Sequence, residues 1–206
     1  MVALLQWATP LLHLEPDSDS KIDIVHGDLN PDNILIFKDE HGRVIPKIAD
    51  FGFSCIGSEN GSLVYLPLKT PWEAPDWHAA AFEIPDAKKL EVYSLGLIFL
   101  WVVFHDTESQ LGLGSDTALE ERFFVDFFAE KRDGNYQQRI RDLKLKDAPL
   151  RLAALLLKPI RNERFRQGLH NFFNSTLSLD PHKRALDIGG LKDSSEYTRY
   201  ETCSIF

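Results

Sequence analysis

The apolar positions divide the chain into a short part with strand-like runs and a longer part with helical spacing. Residues 1 to about 14 carry an apolar stripe interrupted by Pro10, and the polar cluster Pro16-Asp17-Ser18-Asp19-Ser20 closes it, a pattern that predicts a helix ending in a turn. Ile22 to Val25 is a short extended run. Ile34-Leu35-Ile36-Phe37 and Val44 to Ile48 are two apolar segments separated by Lys38-Asp39-Glu40-His41-Gly42-Arg43, and this spacing predicts a small β-hairpin. Phe53 to Thr70 is rich in Gly and Ser and reads as loop.

Downstream the period lengthens. Lys88 to Phe104 is apolar nearly all round, which predicts a helix buried in the middle of a domain. Its unbroken apolar run, Leu95 to Phe104, has ten residues, about half of a bilayer span. Residues 117–131, about 137–145, Leu150 to Leu157 (stopped by Pro159) and Phe165 to Leu179 predict amphipathic helices. Phe123, Phe124, Phe127 and Phe128 recur at helical spacing and are expected in the core, while the polar tail from Lys192 is expected to fray. The fold class that follows is mainly α with a small β-hairpin.

Composition narrows the setting. With 206 residues and 44% hydrophobic content the chain suffices for one sizeable domain. A formal charge of −8 argues against nucleic acid or an anionic membrane as the main partner. Cys55 and Cys203 are the two cysteines, far apart, so no disulfide framework or CxxC metal site is legible, and a reducing, cytoplasmic setting is expected. The apolar start, Met1 to Trp7, lacks the basic flank of a signal peptide.

The candidate chemistry sits just before the predicted hairpin, in His26-Gly27-Asp28-Leu29-Asn30-Pro31-Asp32-Asn33. Pro31 keeps this loop from closing into a helix. The Asp28 carboxylate can accept a hydroxyl proton, and the Asn33 carbonyl oxygen is a hard ligand suited to Mg²⁺. After the hairpin comes Lys47-Ile48-Ala49-Asp50-Phe51-Gly52, a short strand ending in a second carboxylate and a glycine that permits a sharp turn. A base and two oxygen ligands so arranged suit phosphoryl transfer.

At these residues the chain resembles the protein kinases. Their catalytic loop H-R-D-x-x-x-x-N and metal-binding D-F-G are matched by His26/Asp28/Asn33 and Asp50/Phe51/Gly52. Ala74-Pro75-Asp76 is similar to the Ala-Pro-Glu that ends the family's activation segment, and Asp180-Pro181-His182-Lys183-Arg184 to its D-P-x-x-R, so Asp76 is expected to pair with Arg184. The helix from Lys88 resembles the family's D-V-W-S-x-G helix, with Glu91 in place of the Asp that hydrogen-bonds the catalytic loop. The resemblance implies Asp28 as base, Asn33 and Asp50 as ligands of Mg²⁺ and ATP, and His26 and Phe51 as packing residues that set loop geometry. There is also a fainter likeness to kinase-like genes of filamentous fungi.

The resemblance spans residues 1–191 as a large, C-terminal lobe, with 192–206 as tail. The family's Gly-rich phosphate loop and strand lysine are not among the 25 residues before His26, so a missing or separate small N-terminal lobe is expected, and with it an isolated chain that is inactive or weak. Within the lobe, Gly27 replaces an arginine that reads a phosphorylated activation segment. Asn30 stands where serine/threonine kinases carry a lysine, and Lys69 stands where they carry a threonine. The implied function is ATP-dependent transfer to a protein Ser/Thr hydroxyl. Two alternatives stand beside it: a non-catalytic pseudokinase fragment that acts by binding, and a small-molecule phosphotransferase of the aminoglycoside or choline type, whose catalytic loop His-Gly-Asp-Leu-Asn-Pro-x-Asn also resembles.

Overall fold

A computed structural model of the chain describes residues 23–57, 63–78, 81–104, 118–127 and 133–185. The helix expected over residues 1–14, Phe128, Cys203 and the tail from Lys192 lie outside the described residues. Among the described residues helices dominate, and the strands form three two-stranded antiparallel ladders.

The predicted hairpin is the longest ladder: β2 (Ile34–Lys38) pairs with β3 (Val44–Ile48), from Ile34 opposite Ile48 to Lys38 opposite Val44. Its turn is shaped by Asp39, whose carboxylate accepts from the backbone N–H of His41 (2.9 Å) and of Arg43 (2.8 Å). Leu35, Ile36, Phe37, Val44 and Ile45 are all exposed, so the hairpin projects from the molecule and rests on the core through Ile34 and Ile48 at its base. Two further ladders depart from the expected single hairpin. Of these, β1 (Asp23–Val25) pairs with β4 (Cys55–Gly57), and β5 (Leu63–Tyr65) with β6 (Ala81–Glu83). At three residues each, these strands are too short to show a two-residue period in sequence.

The helix expected from Lys88 begins four residues earlier: α1 spans Ile84–Phe104, and Pro85 fits in its first turn, where an N–H has no helical partner. Leu95, Leu97 and Ile98 are all buried and point to different sides of it. Then follow α2 (Ala118–Phe127), α3 (Tyr136–Leu145), α4 (Ala148–Leu156) and α5 (Glu163–Thr176). Helix α5 starts two residues ahead of Phe165 because Asn162 caps it, its side chain accepting from the Phe165 N–H at 2.9 Å. It ends at Thr176 rather than Leu179.

Helix α1 is the axis on which the rest is packed. It touches β1, α4 and α5, while α2 and α3 close against α4. At its crossing with α5 the helices meet through Gly96: a Cβ there would lie 2.6 Å from Thr176 Oγ1 and 2.7 Å from Leu177 Cδ2. Phe123, Phe124 and Phe127 are in the core, as their spacing predicts. No helix among the described residues is long and apolar enough to cross a membrane.

Candidate active site

The β1–β4 ladder sets the site. Val25 pairs with Cys55, so the loop that leaves β1 at His26 runs beside the segment that enters β4 from Asp50. Gly27 occupies the closest approach, with φ +85°, and a Cβ on it would stand 2.5 Å from the Phe53 carbonyl oxygen. No side chain fits there without moving one of the two segments.

The loop is fixed at both ends. Asn30 caps the 3₁₀ turn Pro31–Asn33 by accepting from the Asp32 N–H at 3.0 Å, and Pro31 opens that turn. His26 is buried and bridges outward. Its Nε2 lies 3.0 Å from the Ala49 carbonyl and its Nδ1 accepts from the Asp28 N–H at 3.3 Å, which together specify the Nε2–H tautomer. Ala49 in turn donates its N–H to the Asn33 carbonyl at 2.9 Å. Residue 49 is therefore tied to both 26 and 33, and Asp50 follows it directly.

Asp28 is buried at 6% exposure and ringed by donors. Asn30 Nδ2 donates to Oδ1 (2.9 Å), Asn33 Nδ2 to Oδ2 (3.2 Å) and Lys69 Nζ to Oδ2 (3.2 Å). Asn33 Nδ2 also donates to the Asp28 carbonyl at 2.7 Å, so the nitrogen of that amide faces Asp28 and its oxygen is the end left for a cation. Asp50 is exposed and left-handed (φ 61°), and its Oδ1 caps the turn Phe51–Phe53 by accepting from the Gly52 N–H at 3.3 Å. Among the described residues no three His, Cys, Asp or Glu side chains group to hold a metal by themselves. The amide of Asn33 and the carboxylate of Asp50 are hard oxygen donors of the kind Mg²⁺ takes while keeping several waters.

The other expected residues fall as follows. Phe51 meets His26 in a tilted ring contact with centroids 5.0 Å apart, and it is 55% exposed. Glu91, one methylene longer than the Asp the resemblance leads one to expect, still reaches the loop: its Oε1 accepts from the Gly27 N–H at 2.6 Å. Burial pushes its carboxyl up to about 7, against the hydrogen bonds from the Gly27 and His26 backbone that favour the charged form. Asp76 and Arg184 meet at 2.6 Å, with the guanidinium fully buried over the Tyr93 ring and also donating to the Ser178 carbonyl.

Two cations take up contacts that the sequence did not foretell: Lys69, noted there only as standing in place of a threonine, and Lys144. Lys69 comes from the loop before Trp72 and lines, with Asp28, Glu73 and Glu91, a small pocket open to solvent. Lys144, fully buried on α3, donates to the carbonyls of Pro71 (2.5 Å) and Glu73 (2.6 Å) and pairs with the Glu73 carboxylate (3.2 Å). Burial shifts its ammonium downward, with Glu73 opposing. A signal for Lys144 existed: Tyr136, Ile140 and Leu143 mark the buried face of α3, and residue 144 lies on it at i+4 from 140.

A protein kinase domain model matches residues 19–187 of the chain. The serine/threonine-protein kinases GD17699 of Drosophila simulans, GM11705 of Drosophila sechellia and CG17528 of Drosophila melanogaster are each 39% identical over 77 residues. That match covers 36% of this chain, and the chain spans about 10% of the length of these relatives.

Proposed function

The chain belongs to the protein kinase family, and from that premise we propose that it carries the base, the metal ligands and the acceptor surface for ATP-dependent phosphoryl transfer to a protein hydroxyl. The family implies ATP and Mg²⁺. The names of the similar proteins favour serine or threonine as acceptor.

The observation that supports this most is the ring of donors round Asp28. Three side chains hold its carboxylate in one orientation at the floor of an open cleft, where an acceptor hydroxyl can reach it. Asp28 takes the hydroxyl proton as the oxygen attacks. His26 and Glu91 act on the loop backbone, so they position Asp28 without touching substrate. Asn33 Oδ1 and Asp50 would hold Mg²⁺, which when bound neutralises charge on the phosphate oxygens.

The test is transfer of label from radiolabelled ATP to a serine-rich protein, with Mg²⁺, by the 206-residue chain and by Asp28→Asn. Slow incorporation that falls at least about 100-fold in Asp28→Asn is the expected result, the scale of losing a positioned general base. Equal incorporation by both proteins removes the reading. A second reading, a module that binds without catalysis, draws on Gly27 and Asn30, which stand where the family carries an arginine and a lysine. It expects a melting temperature that Mg·ATP leaves unchanged.

A further inference from the structure

Of the three donors on Asp28, one is charged. Asn30 and Asn33 offer amide hydrogens, whereas Lys69 offers an ammonium, its Nζ 3.2 Å from Asp28 Oδ2. Asn30 has no freedom to meet a ligand. At 1% exposure, its Nδ2 donates to the Asp28 carbonyl and carboxylate and its Oδ1 accepts from Asp32. Lys69 differs in both respects: it carries charge, and its side chain is 49% exposed on the cleft it shares with Asp28.

The geometry points to Lys69 as the catalytic cation of this site, the group that balances charge on the phosphoryl oxygens during transfer. The inference rests on the phosphotransferase reading above. In that step the acceptor oxygen bonds to phosphorus, the bond from phosphorus to the ADP oxygen breaks, and the hydroxyl proton passes to Asp28. The acceptor oxygen must come within hydrogen-bond reach of the Asp28 carboxylate, and Lys69 is already on that carboxylate. Its half-exposed side chain leaves the ammonium open to a group that enters beside Asp28. Charge placed in advance where charge develops is commonly the largest single contribution to catalysis.

The backbone that follows Lys69 is held, while its side chain is half exposed. Lys144 grips the carbonyls of Pro71 and Glu73, two and four residues further on, from the buried face of α3. The charge thus reaches Asp28 from a loop 41 residues downstream instead of from the catalytic loop itself, where Asn30 is neutral.

The experiment compares the full chain with Lys69→Met and Lys69→Arg. Calorimetry measures binding of Mg·ADP with and without aluminium fluoride, a mimic of the phosphoryl group in flight, and the transfer assay runs in parallel. Aluminium fluoride is expected to tighten Mg·ADP binding to the wild-type chain and to Lys69→Arg. In Lys69→Met that tightening drops by about 10- to 100-fold, the scale of losing one charge-stabilising donor, while binding of Mg·ADP alone stays within about twofold. A response kept in Lys69→Arg and lost in Lys69→Met follows the charge at position 69, which a merely structural role for Lys69 would not produce. If Lys69→Met responds to aluminium fluoride and transfers phosphate like the wild-type chain, or faster, the inference fails and the wider reading stands. If the wild-type chain neither responds to aluminium fluoride nor transfers phosphate above Asp28→Asn, both fall together.

Discussion

At the scale of single residues, Glu91 shows how a longer side chain can keep a contact and change its chemistry. Its carboxylate reaches the Gly27 N–H, but burial raises its pKa from 4.5 to about 7. Between those values the folded chain binds more protons at this position than the unfolded one. The contribution of Glu91 to stability therefore falls as pH rises from 4.5 to about 7 and is level above. At full ionisation the penalty is on the order of 3 kcal/mol. Glu91→Gln keeps an oxygen that can accept from Gly27 and removes the titration. In urea denaturation series at stepped pH, the difference between wild type and Glu91→Gln should grow in favour of the variant across that window. A difference independent of pH would mean that the carboxyl titrates normally.

Among the elements, the decisive contact is the crossing of α1 and α5. Both helices are legible from their apolar spacing, α1 as a segment buried all round and α5 as an amphipathic one. Their separation is not legible, because it depends on one residue without a side chain. Gly96 lets Thr176 and Leu177 approach to distances that no Cβ tolerates. Gly96→Ala should lower stability by about 1–3 kcal/mol despite the better helix propensity of alanine, since overpacking outweighs the roughly 1 kcal/mol that propensity returns. A denaturation midpoint that stays level or rises would show that the helices can part at little cost. The hairpin is the opposite case: alternation and turn residues place β2 and β3 correctly, because every contact that defines their register lies within 15 residues, Ile34 to Lys38 against Val44 to Ile48.

The whole molecule is closed by charges brought together from distant parts of the sequence. Asp76 and Arg184 are 108 residues apart and meet at 2.6 Å, with Arg184 fully buried and Asp76 partly exposed. Removing the carboxylate leaves the guanidinium in the interior with carbonyl oxygens but without that counter-charge. Asp76→Ala is expected to cost on the order of 3 kcal/mol, read from chemical denaturation, and Asp76→Glu to recover most of it. A loss below about 0.5 kcal/mol would instead place the pair among surface ion pairs. Lys144 does comparable work on the other side of the same loop, joining α3 to Pro71 and Glu73, while the Trp72 ring between them packs edge-on against Trp101 and Phe127. The loop that carries Lys69 is thus held from three helices and from the Arg184 turn.

The residues by themselves determined the order of elements, the hairpin and its turn, the buried central helix, and the two polar segments at His26–Asn33 and Asp50–Gly52. Each of these is written in local spacing, in turn-forming residues or in contiguous motifs, and needs no knowledge of the rest of the chain. Packing decided what meets them. It brought Lys69 to Asp28 across 41 positions, Glu91 to Gly27 across 64 and Lys144 to Pro71 across 73. No period in a sequence encodes such meetings, because they depend on how close two helices can pack and on where a loop must run once they have done so.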